Sequence, residues 1–273
     1  MKILYFTGTG NSLYVAKRIG GELLSIPHLL KEKQFKIKDE AVGIVFPCYN
    51  FNLPLIVKEY LEQVIIEAEY VFLVMTYGFI SAAGLKTAED IMTRNGGKLD
   101  YSNQIQMIDN YLPLFKMEKQ LKNEPSKNIE AQIDAVVADI QSCKRKVKRF
   151  GIIKKTVTKI FGKRMYSPTG LKKLKATSLN FTVTDDCTSC KICQKVCPRG
   201  NIISEEKSDS ESISVPAQRI ESKPQFSEMC ESCFACIHLC PENAIHLKNQ
   251  KSEKRFRNPN VSIAEIIAAN SQD

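Results

Sequence analysis

The chain has 273 residues, of which 43% are hydrophobic and 25% are charged, and its net charge is +9. This length favours two domains over one, and the composition excludes disordered, collagen-like and fibrous chains. No apolar run approaches the roughly 18 residues that a membrane span requires. The apolar run after Met1-Lys2 is too short for a signal peptide. We therefore expect a globular protein of the cytoplasm with no transmembrane segment.

Charge and cysteine are distributed unevenly along the chain. Residues 1–139 and 185–273 each carry a net charge of −2, whereas residues 140–184 hold 13 basic side chains and no acidic one. Eight of the ten cysteines lie within residues 187–240. In a chain without an export signal, this favours metal or redox chemistry over disulfides. We predict a first domain over residues 1–150, a basic connector over 151–180, a cysteine-rich domain over 181–250 and a tail over 251–273.

The first 150 residues alternate between strands and helices. Apolar runs bounded by Gly or Pro predict buried strands at residues 3–6, 42–46 and 70–75, with a weaker strand at 99–107. Helical spacing of apolar residues predicts helices at 13–23, 54–64, 82–92 and 129–147. This alternation indicates an α/β fold with a doubly wound parallel sheet, covered on both faces. The ligand site of such a sheet lies beyond the carboxyl ends of its strands.

The loop between the first strand and the first helix reads Thr-Gly-Thr-Gly-Asn-Ser over residues 7–12. Glycines allow backbone N–H groups to converge on one point, and the helix N-terminus adds partial positive charge. The loop lacks both the lysine of a nucleoside-triphosphate loop and the GxGxxG spacing of a dinucleotide loop. Hydroxyls and amides without cations suit a single terminal phosphate. The alternative is an ordinary turn in which Asn11 or Ser12 caps the helix.

At this loop the chain resembles flavodoxin. The matching residues, from that family's phosphate loop for FMN, are Thr7, Gly8, Thr9, Gly10, Asn11 and Ser12. The resemblance extends over the first 150 residues and implies two further flavin loops at the ends of the next core strands. These loops are Pro47, Cys48, Tyr49, Asn50, Phe51 and Asn52, and Thr76, Tyr77, Gly78 and Phe79. Their aromatic side chains could stack on the flavin ring or pack as ordinary loop residues.

Two cysteines and one long segment of this region have alternative interpretations. Cys48 follows the second core strand, and Cys143 lies on the apolar face of the last predicted helix. We expect both to be small buried hydrophobes, with redox activity as the alternative for Cys48. Residues 110–126 exceed a simple turn, so they are either a lid over the flavin or a surface loop.

The pattern Cys-x2-Cys-x2-Cys-x3-Cys-Pro occurs twice, 43 residues apart, starting at Cys187 and at Cys230. Three thiols at this spacing reach three corners of a cubane, and the fourth cysteine of each run ligates the other cluster in two-cluster ferredoxins. Zinc sites have no use for a third cysteine at the same interval. The pattern predicts two 4Fe-4S clusters, one on Cys187, Cys190, Cys193 and Cys240 and the other on Cys230, Cys233, Cys236 and Cys197.

The doubled run is similar to bacterial two-cluster ferredoxin, with all eight ligands and both prolines present. It departs from that family in the long polar loop over residues 199–229. Residues 204–214 of this loop are rich in Ser, Glu and Asp, and we expect an insertion that lies away from the clusters. His238 lies inside the second run, where we expect it to face solvent; tuning of the cluster potential is the alternative.

The basic connector interleaves lysine and arginine with apolar residues such as Ile152, Ile153, Ile160 and Phe161. Four interpretations remain open: a solvated face packed between the domains, a docking patch for an acidic redox partner, a membrane-surface helix and a nucleic-acid arm. No nucleic-acid motif is present, so we expect no nucleic-acid partner.

A flavodoxin-like sheet followed by a small α+β two-cluster ferredoxin domain resembles the fused flavodoxin–ferredoxin proteins of anaerobic bacteria and archaea. The resemblance implies a cytoplasmic electron carrier or oxidoreductase subunit, with two 4Fe-4S clusters, FMN and redox partner proteins. We assign no catalytic residue. The alternatives are a flavin-dependent reductase with its own substrate and a redox sensor that binds acidic partners.

Overall fold

The computed structural model describes residues 1–80, 83–204 and 223–272. The strands of the first 150 residues are β1 (Lys2–Tyr5), β2 (Glu22–Ser25), β3 (Lys36–Lys38), β4 (Ala41–Pro47), β5 (Ile65–Glu67), β6 (Tyr70–Tyr77) and β7 (Tyr101–Gln106). The helices are α1 (Asn11–Ile19), α2 (Ile26–Lys31), α3 (Leu55–Leu61), α4 (Gly84–Arg94), α5 (Met117–Lys122) and α6 (Ile129–Gln141), with a 3-10 helix at Glu124–Lys127.

Five of these strands form one parallel sheet in the order β2-β1-β4-β6-β7. This is the doubly wound order of flavodoxin-like folds, in which the second strand flanks the first and the later strands add on the other side. Helices α1 and α6 pack on one face of the sheet, and α3 and α4 pack on the other. β3 and β5 pair separately as a short parallel ribbon.

The predicted first helix extends too far, because residue 23 lies in β2. Helix α1 ends at Ile19, and both Gly20 and Gly21 then take positive φ. A Cβ on Gly21 would lie only 2.7 Å from the Met1 carbonyl oxygen. The two glycines therefore allow the chain to turn tightly after α1 and to continue as β2, parallel to β1. The periodicity missed β2 because this strand is short and half-exposed.

The helix predicted over residues 129–147 is shorter in the structure, which changes the environment of Cys143. Helix α6 ends at Gln141, and Cys143 takes a φ of 50°. The chain then turns so that Lys146 bridges to Tyr101 beside the sheet. Cys143 is exposed, so the expectation of a buried core residue was wrong. Cys48 is half-buried and packs against the core.

The connector forms two helices, α7 (Ile152–Met165) and α8 (Pro168–Lys175), followed by a 3-10 helix at Ala176–Asn180. Beyond it lie strands β8 (Phe181–Val183), β9 (Ile202–Ile203), β10 (Gln225–Phe226) and β11 (Ile245–Leu247) and the short helices α9 (Ile192–Lys195) and α10 (Ala235–His238). β8 pairs antiparallel with β11, and β9 with β10. The chain ends in helix α11 (Ile263–Asn270).

The chain is thus a flavodoxin-like α/β sheet followed by a small α+β ferredoxin-like unit. The two parts share buried clusters: Val196, Ala235 and Leu239 pack with the α1 and α6 side of the sheet. The division into four segments stays a prediction, and the expected insertion at 204–214 falls almost wholly outside the described residues. No helix in the described part of the chain is long and apolar enough to cross a membrane.

Candidate functional site

A cavity of about 180 Å³ lies at the carboxyl ends of β1, β4, β6 and β7. This is where a doubly wound sheet is expected to bind its ligand. Of the residues in the three predicted flavin loops, Gly10 and Asn52 are absent from the lining. The lining includes Thr7, Gly8, Thr9, Asn11, Ser12, Pro47, Tyr49, Asn50, Phe51, Thr76, Tyr77 and Gly78.

The loop from Thr7 to Ser12 forms one end of the cavity. Gly10 takes a φ of 102°, and its N–H donates to Thr7 Oγ1 at 3.1 Å. Ser12 Oγ lies 2.9 Å from Thr76 Oγ1, so two of the predicted loops are hydrogen-bonded together. Within the described chain, no side chain caps α1. Its first N–H groups are therefore available to an anion, and this end fits a phosphate.

Aromatic side chains also line the cavity, which suits a planar apolar ring. Tyr49, Phe51, Tyr77 and Phe79 come from the predicted loops, and Tyr111, Phe115 and Phe234 join them. The segment after β7 therefore walls the cavity, and its Leu112 and Met117 are fully buried in the cluster that includes Phe234. It is neither a free surface loop nor a simple lid.

Asp109 is a wall residue that lies outside the three predicted flavin loops. Its carboxylate accepts hydrogen bonds from the N–H groups of Phe79 at 2.9 Å and Tyr111 at 3.1 Å. Burial raises the pKa of Asp109, and these hydrogen bonds oppose the shift. The available signal was its position directly after the last sheet strand, where parallel sheets place functional side chains.

The second cysteine run also reaches the cavity, because Ser232, Cys233 and Phe234 line its wall. The contact with the first loop is close: a Cβ on Gly8 would lie 3.2 Å from Cys233 Cβ and 2.7 Å from Tyr49 Oη. Gly8 therefore lets the cysteine run approach the candidate flavin site. No motif in either half of the sequence predicts this contact.

The two cysteine runs have the same backbone conformation. Ser189 and Lys191 in the first run take φ of 54° and 60°, and Ser232 and Phe234 in the second run both take 55°. Each run then enters a four-residue helix, α9 or α10. The positive φ values turn the loop so that successive cysteines can face one centre.

The first cysteine group consists of Cys187, Cys190, Cys193 and Cys240, which together line one small cavity. Burial raises the pKa of Cys193 to about 12, and its cysteine neighbours Cys190, Cys240 and Cys187 add to the shift. Cys240 comes from the other run, so this cavity is lined by three thiols of one run and the fourth of the other.

The second cysteine group consists of Cys230, Cys233, Cys236 and Cys197. Burial raises the pKa of Cys230 to about 11, and Cys197 adds to the shift. Cys233 and Cys236 also have pKa values raised well above the usual range by burial, with Cys230 and Cys197 among the neighbours that contribute. Cys197 therefore lies beside the thiols of the second run.

The donor set fits iron–sulfur clusters. Backbone N–H groups donate to the sulfurs of Cys197 at 3.3 Å, Cys230 at 3.2 Å and Cys240 at 3.3 Å. Such hydrogen bonds are among the features that set cluster potentials. Among the described residues, no three His, Cys, Asp or Glu side chains converge on a point suited to one metal ion. A cubane takes one thiolate at each of its four irons, and each cysteine group offers four thiols.

His238 is buried, so the expectation of a solvent-facing side chain was wrong. Its Nδ1 accepts a hydrogen bond from the Phe256 N–H at 3.1 Å, and Nε2 lies 2.8 Å from the Asn110 carbonyl oxygen. These partners fit a neutral ring that is protonated at Nε2. Burial lowers the pKa of His238 to about 4. The side chain thus joins the second cysteine run to the cavity wall.

A buried ion pair joins the two parts of the chain beside the second cysteine group. Arg199 Nη2 lies 2.7 Å from the Glu231 carboxylate, and Arg199 Nη1 lies 2.6 Å from Glu59 on α3. Glu231 also accepts the Ile56 N–H at 3.2 Å. Both charges of the buried pair are thus compensated, as burial requires. No motif in the sequence points to these residues.

The tail covers the outer side of the loop from Thr7 to Ser12. The Asn258 N–H donates to the Thr9 carbonyl oxygen at 2.9 Å, and Asn258 Nδ2 donates to Asn11 Oδ1 at 3.1 Å. Asn270 Nδ2 donates to the Thr7 carbonyl oxygen at 2.9 Å. Helix α11 packs against α2 and α9. The tail therefore contacts both the sheet and the cysteine-rich part.

The comparisons with known proteins concern both halves. Residues 180–254 match the 4Fe-4S dicluster domain family. A ferredoxin-like protein in the nif region of Nostoc sp. strain PCC 7120 is 34% identical over 63 residues, which are 22% of this chain and 54% of that protein. The chain thus spans about half the length of this curated relative. The cysteine-rich part is a 4Fe-4S cluster-binding domain, of a class that transfers electrons.

Two solved structures are similar to the chain. The Trp repressor binding protein from Bacillus subtilis has a TM-score of 0.31 and 12% identity, over 39% of this chain and 83% of that chain. The FMN-dependent NADH-azoreductase from Bacillus anthracis, solved in complex with FMN, has a TM-score of 0.31 and 12% identity, over 51% of this chain and 99% of that chain.

Proposed function

We propose that the chain is a fused flavodoxin–ferredoxin electron carrier, which holds FMN in the cavity and one 4Fe-4S cluster on each cysteine group. Flavin holds one or two electrons whereas a cluster passes one, so the pair couples single-electron carriers to a two-electron donor or acceptor. Redox partner proteins supply and remove the electrons. The observation that carries this proposal is the position of Cys233 in the cavity wall, packed against Gly8.

The chain's own residues have separate tasks in this proposal. The first N–H groups of α1 and the hydroxyls of Thr7 and Ser12 hold the phosphate. Tyr49 and Phe234 line the cavity and shield the flavin from water. The backbone N–H donors to Cys197 and Cys230 stabilise negative charge on the sulfurs. The buried pair of Arg199 and Glu231 holds the second cysteine group against α3.

Cofactor analysis of the anaerobically purified full chain tests the proposal. We expect about eight iron atoms and matching sulfide per chain for two clusters. We expect one FMN, bound more tightly than riboflavin because the loop recognises the phosphate. One or two zinc ions without sulfide would refute the clusters. Equal affinity for FMN and riboflavin would refute the role of the loop.

A further inference from the structure

Helix α7 exposes apolar side chains instead of burying them. Ile152, Ile153 and Ile160 are 83%, 80% and 61% exposed. Ile153 and Ile160 are seven residues apart, so they lie on one face of the helix. A surface helix normally turns its apolar stripe toward the core. An outward stripe at this exposure indicates an interaction surface.

The opposite face of α7 is already engaged with the loops around the cavity. Thr158 Oγ1 accepts the Ala83 N–H at 2.9 Å. Gly162 packs against the Asn52 side chain, whose Nδ2 would lie 2.7 Å from a Cβ at that position. Just beyond the helix, the Tyr166 hydroxyl donates to the Leu53 carbonyl oxygen at 2.8 Å. These contacts fix the rotation of α7, so its isoleucine face cannot turn inward.

The basic side chains of residues 140–184 divide into two sets. Before α7, Lys144, Arg145 and Arg149 form ion pairs with Asp139, Asp100 and Glu89. Within α7 the lysines at 155, 159 and 163 are exposed, and they form no ion pair with any described residue. Eight basic side chains and no acidic one lie within residues 152–175. Lys163 and Arg164 follow Ile160 by three and four residues, so they lie on or beside the isoleucine face, and neither forms an ion pair with a described residue.

We propose that the outward face of α7, together with the lysines of α8, docks on an anionic phospholipid surface. Apolar side chains flanked by lysines, on a helix that lies in the interface plane, are typical of membrane-surface helices. Clusters of four to eight basic residues on such helices favour anionic lipids. Isoleucines that protrude singly can enter a lipid interface directly, whereas a protein partner would need a matching pocket for each of them. Lysines can bury their stems and keep their ammonium groups at the headgroups.

Co-sedimentation of the full holoprotein with vesicles tests this surface. We expect binding to phosphatidylglycerol-rich vesicles, little binding to phosphatidylcholine vesicles, and loss of binding at high salt. A variant with Lys155, Lys159 and Lys163 changed to Gln should bind at least about tenfold more weakly. A second variant, I153S with I160S, should weaken binding while keeping all charges.

Two matched control variants test whether vesicle binding depends on this surface or only on the total charge and the exposed apolar area of the protein. Lys116, Lys119 and Lys122, changed together to Gln, remove the same charge from the exposed side of α5. Ile65 is 59% exposed on β5, and I65S removes an isoleucine of similar exposure. Both controls should bind vesicles like the wild type. Equal binding to neutral vesicles, or an unaffected lysine variant, would overturn the proposal.

The proposal would also be overturned if this surface bound an acidic protein instead of lipid. In that case the chain would not sediment with vesicles, and a small acidic ferredoxin would bind it in a manner that the lysine variant weakens. The altered side chains are exposed, so unchanged thermal unfolding and unchanged iron content should confirm that each variant is folded.

Discussion

Gly10 and Gly20 both have positive φ, of 102° and 86°, but only Gly10 has neighbouring atoms where a side chain would stand. A Cβ on Gly10 would lie 3.0 Å from Asn258 Cβ and 3.1 Å from Val261 Cβ. A Cβ on Gly20 would meet nothing within 4 Å. A side chain at Gly10 would therefore displace the tail, which in turn holds the loop through Asn258.

We expect G10V to lower the FMN affinity of the holoprotein by at least about tenfold, or about 1.4 kcal/mol. The control variant G20V also forces a side chain into a backbone conformation that only glycine adopts readily, at a cost of about 1–3 kcal/mol, but without a steric neighbour. It should lower the melting temperature but retain FMN. Flavin fluorescence titration of the two variants measures the difference. Equal loss of FMN in both would show that backbone strain alone, and not the tail, determines the affinity.

Glu265 ties the tail to α1 at the residue scale. Its carboxylate lies 2.5 Å from Lys17 Nζ and caps α11 through Ser262. The Lys17 side chain and the Ser262 donors lower the pKa of Glu265 to about 2. The stability that this lowered pKa contributes is present above the unfolded value near 4.5. It is lost as the pH falls from there toward 2.

E265Q should destabilise α11 by less than about 1 kcal/mol at neutral pH, because the pair is partly exposed and screened. Gln keeps the capping hydrogen bonds, so the variant removes only the charge. Hydrogen exchange of α11 should differ between wild type and variant at neutral pH, and the difference should shrink below pH 4.5. A difference that persists unchanged to pH 2 would show that the charge is not its cause. E253Q, on an exposed carboxylate elsewhere, serves as the control.

At the scale of elements, the two cysteine runs are one structural unit used twice. Each run turns through two positive φ positions into a four-residue helix, and its fourth cysteine follows that helix. The fourth thiol therefore points away from the loop of its own run and joins the other group. Crossed ligation is the arrangement that this geometry supports.

C197S tests crossed ligation. We expect iron to fall from about eight to about four atoms per chain, because one cluster loses a ligand. Paramagnetic resonance of the reduced protein should lose the signal that variants of Cys230 also remove. The signal that depends on Cys187 should remain. C143S, at an exposed cysteine outside both groups, should keep the full iron content. Loss of only the Cys187-dependent signal would contradict the assignment.

At the scale of the whole molecule, the two halves are held together by shared buried side chains and by the Arg199 network. Phe234, Leu112 and Met117 lie in one cluster, so the cavity wall and the cysteine-rich domain are packed as a unit. The close approach of Cys233 to Gly8 follows from this packing. We therefore expect electrons to pass within one chain.

Reduction of the clusters by a low-potential donor should reduce FMN at a rate that is independent of protein concentration. G8V should slow this step, because the new side chain would push apart Tyr49 and Cys233. The matched variant G151V places the same side chain where a Cβ meets nothing within 4 Å, so it should not change the rate. A rate proportional to protein concentration would mean that electrons pass between molecules. The exchange should then slow as salt screens the basic surface.

The sequence by itself determined the α/β sheet, the glycine-containing loop between β1 and α1, and the doubled cysteine pattern. These depend on local periodicity and spacing, which a linear chain displays directly. It failed at β2, at the end of α6 and at His238, because there a glycine turn or a tertiary contact overrides the periodicity. Only the tertiary structure placed Cys233 in the cavity wall, Asn258 against the phosphate loop, and the isoleucines of α7 outward. Each of these contacts joins residues far apart in the chain, so the packing of separate elements decides them and no local pattern records them.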